Sequence, residues 1–170
     1  MNTSNDSIRM AYHPQLVILI VEDHLVFTKD VKHALPEHSV VFARSVEDAK
    51  QRYEECLPNI TFLDIDLPDG NGFEMLDYIR NEEPDAYTVM LTGSKIEADV
   101  ITSRQKGARG YIIKPFTKSK IIKHINEYLE LREKQIQSLL QQTEKRRREE
   151  LLLSSDLAIA SDPINMPGHH

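Results

Sequence analysis

Five short apolar runs, Leu16–Val21, Val40–Ala43, Ile60–Leu63, Thr88–Leu91 and Tyr111–Ile113, recur along the chain with helically spaced segments between them. This alternation restricts the fold more than any other feature. Phe27, Val31, Ala34 and Leu35 share one helical face, and Val46, Ala49, Tyr53 and Cys56 form a second stripe with Ser45 as N-cap. Phe73, Leu76 and Ile79 form a third, and a fourth helix is predicted over 96–106, ending at Gly107 as its C′ residue. Strands that alternate with helices of ordinary length imply an α/β fold with a parallel sheet covered on both faces. Right-handed crossovers leave few doubly wound orders. In the order 2-1-3-4-5, strands 1 and 3 are neighbours, and ligands bind in the crevice at their C-terminal tips.

The runs end on chemically useful residues. Glu22-Asp23 follow the first, Asp64 the third, Thr92 the fourth and Lys114 the fifth. Clustered carboxylates repel one another unless a cation neutralises them. Oxygen donors with no Cys or His in the set suit a hard ion, Mg²⁺ or Mn²⁺, whose open positions accept phosphate oxygens. The reaction class to expect is phosphoryl transfer. Asp64 is placed as nucleophile, Thr92 as hydroxyl donor to a phosphoryl oxygen, and Lys114 as a neutralising charge. Pro115 gives the Lys114 peptide a restricted geometry, with cis an available form.

At 170 residues the chain fits one domain plus a tail. Residues 1–14 read as a flexible arm, 15–131 as the folded domain, 132–153 as a protruding helical extension and 154–170 as disordered. The fifth helix starts near Thr117 and places Ile121, Ile122, Ile125 and Leu129 on the domain. Good helix formers then continue through the Glu144–Glu150 charge run. The heptad series Ile122, Ile125, Leu129, Arg132, Ile136, Leu139, Thr143, Arg146 is apolar only in part, so a coiled coil is weakly signalled. A dimer, or docking to a partner with a groove for a helix, is the expected use. A net charge of −6 argues against a nucleic-acid surface. Lys145-Arg146-Arg147-Arg148 is interleaved with Glu144, Glu149 and Glu150 and reads as a solvated helix face. The longest apolar stretch, Leu16–Val21, is too short to span a membrane, and the polar first fifteen residues contain no signal-peptide core. The one cysteine, Cys56, fits a reducing cytosol. Gly168-His169-His170 carries no function in this reading.

From Leu16 to Leu131 the chain resembles the receiver domains of two-component response regulators. The matching residues are Val21-Glu22-Asp23, Phe62-Leu63-Asp64-Ile65-Asp66-Leu67-Pro68 with Gly70 and Gly72, Met90-Leu91-Thr92-Gly93, Gly107-Ala108, and Tyr111-Ile112-Ile113-Lys114-Pro115-Phe116. The resemblance implies a flavodoxin-like sheet and a regulatory phosphoacceptor that catalyses only its own phosphorylation and dephosphorylation. It implies that Asp64 takes a phosphoryl group from a histidine kinase or histidine phosphotransfer protein. It also implies Mg²⁺ on Asp23, Asp64 and the Asp66 backbone carbonyl, with Glu22 reaching it directly or through water. Thr92 and Tyr111 would form the switch, read out on the fourth helix, fifth strand and fifth helix. A homodimer through that face or through the helical extension would follow. Asp66 is acidic where the family varies, and it is expected to tune metal affinity or phosphoryl lifetime. Asp64-Ile65-Asp66 also resembles the nucleophile motif of haloacid-dehalogenase-type phosphatases. There, however, the acidic pair comes last in the chain, and here Glu22-Asp23 comes first.

Overall fold

A computed structural model of the protein describes residues 14–24, 31–93, 97–115 and 117–160. The expected arm before Pro14, Phe27, Ile96 and the tail from 161 lie outside the described residues. Five parallel strands, β1 (Val17–Val21), β2 (Ser39–Ala43), β3 (Ile60–Asp64), β4 (Thr88–Thr92) and β5 (Gly110–Ile113), form one sheet in the order β2-β1-β3-β4-β5. This is the doubly wound order expected from the sequence. The helices are α1 (described over 31–34), α2 (Val46–Cys56), α3 (Gly72–Glu82), α4 (Glu97–Gln105) and α5 (Lys118–Ala160).

Alternation along each strand sorts side chains to the two faces of the sheet. Leu19, Val21, Leu63 and Met90 join Val46, Ala49 and Tyr53 of α2 and Met75, Leu76 and Ile79 of α3 in one core cluster. The intervening residues Ile18, Ile20, Phe62, Val89 and Leu91 are also buried, as are Ile121 and Ile125 of α5. His124 of α5 stands edge-on to Phe62, with ring centroids 6.5 Å apart. Every residue of β3 and β4 is buried, so these central strands carry mainly apolar side chains, with Thr61, Asp64, Thr88 and Thr92 as the polar exceptions.

The helix ends follow local chemistry. Ser45 caps α2 by accepting the Asp48 N–H at 3.1 Å. Gly107 ends α4 in the left-handed region at φ +84°, where its N–H donates to the Arg104 carbonyl. Leu57 ends α2 in the same region at φ 45°, an unfavourable place for a residue with a Cβ. It is 75% exposed and has little packing to lose. Leu57→Gly is therefore expected to stabilise the fold by about 1 kcal/mol. The check is a higher denaturant midpoint with an unchanged slope.

Two expectations about the C-terminal segment need correction. The helix does not stop at Leu153 but continues to Ala160. Ser154-Ser155-Asp156 are only mildly unfavourable in a helix, Leu157-Ala158-Ile159-Ala160 are compatible with one, and no proline intervenes before Pro163. The chain also divides into two compact units at Tyr128–Leu129, slightly earlier than residue 131.

Candidate functional site

The tips of β1, β3, β4 and β5 bring the expected residues to one end of the sheet. Register places Val21 beside Leu63, Asp64 beside Leu91, and Thr92 beside Ile113. Glu22 follows β1 and is tied by its own N–H to the Ala43 carbonyl at 2.9 Å. Glu22, Asp64 and Thr92 are all nearly inaccessible, at 2%, 1% and 2% exposure. Buried carboxylates require partners, and Lys114 supplies one. Its Nζ lies 2.5 Å from Glu22 Oε2 and 2.5 Å from Asp64 Oδ2. The Lys114–Pro115 peptide is cis, and the Lys114 N–H donates to the Thr92 carbonyl at 2.7 Å.

The electrostatics follow from this crowding. Burial pushes the Asp64 carboxyl above its ordinary value, and neighbouring Glu22 adds to the effect; the Lys114 ammonium opposes it without cancelling it. Burial alone would lower Lys114, but its bonds to Asp64 and Glu22 win and hold it above the usual lysine value. One ammonium shared between two buried carboxylates leaves net negative charge, which suits a second cation.

Asp23 is partly exposed, and its Oδ1 is buried without a hydrogen bond. That oxygen lies 2.7 Å from His24 Nδ1. The same ring nitrogen is 2.9 Å from Glu22 Oε1. Among the described residues, Glu22, Asp23 and His24 are grouped closely enough to hold a metal ion. Two carboxylates, Glu22 and Asp23, brought together at the tip of β1 beside the His24 ring suit a hard divalent cation. His24, which the sequence reading does not include in the site, directly follows the acid pair and joins it in the structure. The two carboxylates raise its pKa, first through the bond to Glu22 and then through the charge of Asp23.

The loop after Asp64 is held on both sides. The Asp66 N–H donates to Asp64 Oδ1 at 3.3 Å, while the Asp66 side chain is exposed. Residues 66–67 and 70–71 form a small antiparallel ribbon. Asp69 reaches across to α2 and accepts from Val46 N at 2.7 Å and Glu47 N at 3.1 Å. Those bonds hold its carboxyl below the ordinary range. Gly72, the first residue of α3, donates to the Ile65 carbonyl at 2.8 Å. A Cβ at Gly72 would overlap the Asp64 carbonyl oxygen, so only glycine permits this approach.

Tyr111 is half-buried on β5, level with Met90, and packs against the core cluster. It also lines a cleft of about 370 Å³ with Arg104, Arg109, Lys123, His124 and Glu127, between α4, β5 and α5. This cleft is a separate feature from the carboxylate site.

Comparison with known proteins agrees with this geometry. The family profile described as "Response regulator receiver domain" matches residues 18–126. Chemotaxis protein CheY of Listeria monocytogenes is 27% identical over 115 residues, which cover 66% of this chain and 97% of that one. The nitrate/nitrite response regulator protein NarL of Escherichia coli is 29% identical over 122 residues, covering 69% of this chain and 56% of that one. Among solved structures, a CheY-like receiver domain protein from Methanospirillum hungatei superposes with a TM-score of 0.67 at 28% identity, covering 72% of this chain and 99% of that one. The match spans the core, the tips of all five strands and the start of α5, and the phosphatase alternative is set aside. The chain belongs to the response regulator receiver-domain family.

Proposed function

We propose that this receiver accepts a phosphoryl group on Asp64 from a histidine kinase or a histidine phosphotransfer protein. The observation that carries this reading is the Asp64 carboxylate, buried at a strand tip yet bonded to Lys114 and flanked by Glu22 and Thr92. In the step, the donor's P–N bond breaks and a P–O bond forms to an Asp64 carboxylate oxygen; the imidazole departs with a proton. Lys114 then exchanges part of its bond to Asp64 for a phosphoryl oxygen, and Thr92 donates its hydroxyl to another. Glu22, Asp23, Asp64 and the Asp66 carbonyl would hold Mg²⁺, with Mn²⁺ as a substitute. When bound, the ion screens the charge between the incoming phosphoryl oxygens and the carboxylates. The chain turns over no other substrate in this reading and acts as a regulatory phosphoacceptor.

The signal leaves through α4, β5 and α5. A phosphoryl group shifts a two-state equilibrium only if one state binds it better. Thr92, drawn toward the phosphoryl oxygens, and Tyr111, beside the basic cleft, are the two residues we assign to that difference. The extension beyond Leu131 pairs with another copy or a helical partner, without contacting nucleic acid or membrane. No helix among the described residues is long and apolar enough to cross a bilayer. A cytoplasmic setting suits both the phosphodonors and free Cys56.

The test is incubation with acetyl phosphate and Mg²⁺, read by intact mass. The expected result is a gain of one phosphate that is labile to hydroxylamine and disappears in Asp64→Ala. A gain that persists in Asp64→Ala would overturn the assignment, as would no gain in the parent chain under conditions that label a known receiver.

A further inference from the structure

The unit that begins at Leu129 is one continuous helix over its described length, to Ala160. Leu129 and Leu131 are half-buried, whereas Ile136, Leu139 and Leu140 are 51–62% exposed and Leu151, Leu152 and Leu153 are 61–65% exposed. We propose that residues 129–153 form an antiparallel two-helix coiled coil with the same stretch of a second copy. This rests on the pairing put forward above and fixes its direction and register.

The argument is one of charge along a single seam. Extending the heptad from Leu129 gives a positions Leu129, Ile136, Thr143 and Glu150, and d positions Arg132, Leu139, Arg146 and Leu153. A parallel, in-register pair sets each seam residue against its own copy. Arg132 would then face Arg132, Arg146 would face Arg146, and Glu150 would face Glu150. Each of those layers confines like charges. The flanking g-to-e contacts of that pair would be Gln135–Leu140, Gln142–Arg147 and Glu149–Ser154, and none joins opposite charges.

Reversing one helix sets a against d. Placing Leu139 opposite Thr143 of the second copy fixes every other layer. Leu129 meets Leu153 at both ends, and Arg132 meets Glu150. Ile136 meets Arg146, whose methylene stem can lie along it while the guanidinium reaches water. The flank agrees independently: e faces e, so Glu133 meets Arg147 and Leu140 meets its own copy near the dyad. One register thus removes every like-charge layer: Arg132 and Glu150 become an opposite-charge pair, and Arg146 faces Ile136 in place of its own copy. The polar residues that weaken a parallel seam specify the antiparallel one.

The test uses the full chain in a Cys56→Ser background. Nitroxide labels go one at a time on the outer positions Lys134→Cys, Gln141→Cys and Arg148→Cys, and spin–spin distances are measured in the dimer. The antiparallel register predicts a short distance at 141 and longer ones at 134 and 148. Each of the latter two is separated along the axis by about 21 Å, from 1.5 Å of rise per residue. Equal distances at all three positions would mean a parallel pair and overturn the proposal. Separately, Arg132→Glu and Glu150→Arg should each weaken dimerisation at least about tenfold in sedimentation, and the double variant should restore it. A double variant no better than the singles also overturns it. So does a monomer at every concentration, with and without acetyl phosphate. Intact-mass phosphorylation of Asp64 is scored on the same samples. Phosphate uptake without a dimer would therefore sink this inference and leave the receiver reading standing.

Discussion

Lys114→Ala is expected to cost the fold about 3 kcal/mol near neutral pH, because it strands a buried charge. Asp64 is 1% exposed and loses its ammonium partner outright, whereas Glu22 keeps its contact with His24. The loss should show as a lower denaturant midpoint and depend on pH in a definite sense. The Asp64 carboxyl already lies above its ordinary value because of burial, and Lys114 is what restrains it. Without Lys114 its folded pKa rises further above the unfolded one. The folded state then binds more protons across the window between the two values. Stability of the variant should therefore rise as pH falls through that window, and the penalty should be complete above the folded pKa. Adding Mg²⁺ should recover more midpoint in the variant than in the parent, since an ion bound only by the folded state stabilises it by mass action. A variant with the parent's stability and the parent's pH profile would show that Lys114 is not the partner that makes the buried carboxylate tolerable. Phosphate uptake should fall together with stability, because the same ammonium serves both.

Gly72→Ala is expected to be at least as damaging, for a steric reason. The new Cβ would meet the Asp64 carbonyl oxygen, which is main chain and cannot rotate away. Relief requires α3 to move off the tip of β3, weakening the Gly72 N–H bond to the Ile65 carbonyl. Overpacking of this kind costs about 3 kcal/mol, which lowers Tm by roughly 10 °C in a chain of this size. Residual folded protein should also take up phosphate slowly, since the shift displaces the acceptor and the Asp66 N–H that bonds it. Gly70→Ala is the control: its Cβ would touch only the ends of the Val46 and Glu74 side chains, which can move. Equal effects from the two substitutions would refute the close-approach argument.

The contrast between these glycines shows what the sequence could and could not disclose. The sheet was legible because its signals are local: five apolar runs, Ser45 before a stripe and Gly107 after one. The site was legible because the architecture sends strand tips to one place, so Glu22, Asp64, Thr92 and Lys114 could be joined by topology alone. Asp69 was not legible, since its bonds to Val46 and Glu47 link residues more than twenty positions apart. Nothing in Asp-Gly-Asn-Gly distinguishes a tether from an ordinary turn. His24 was overlooked because a single histidine carries no period. The end of α5 was misplaced because the serine pair at 154–155 reads as a break, whereas an established helix carries through two mildly unfavourable residues.

The carboxylate site draws on residues 22, 64, 92 and 114, which lie at the tips of four strands that are adjacent only in the finished sheet. No hairpin, fragment or half-domain can assemble it. Under the proposed function, phosphate uptake would therefore double as a folding assay that reads the population of complete sheets with no probe attached. It should vanish cooperatively along a denaturant series, at the same midpoint as the loss of secondary structure. Under the proposed function a cell would gain the same safeguard: a chain that had not finished folding could not be charged, and so could not send a signal.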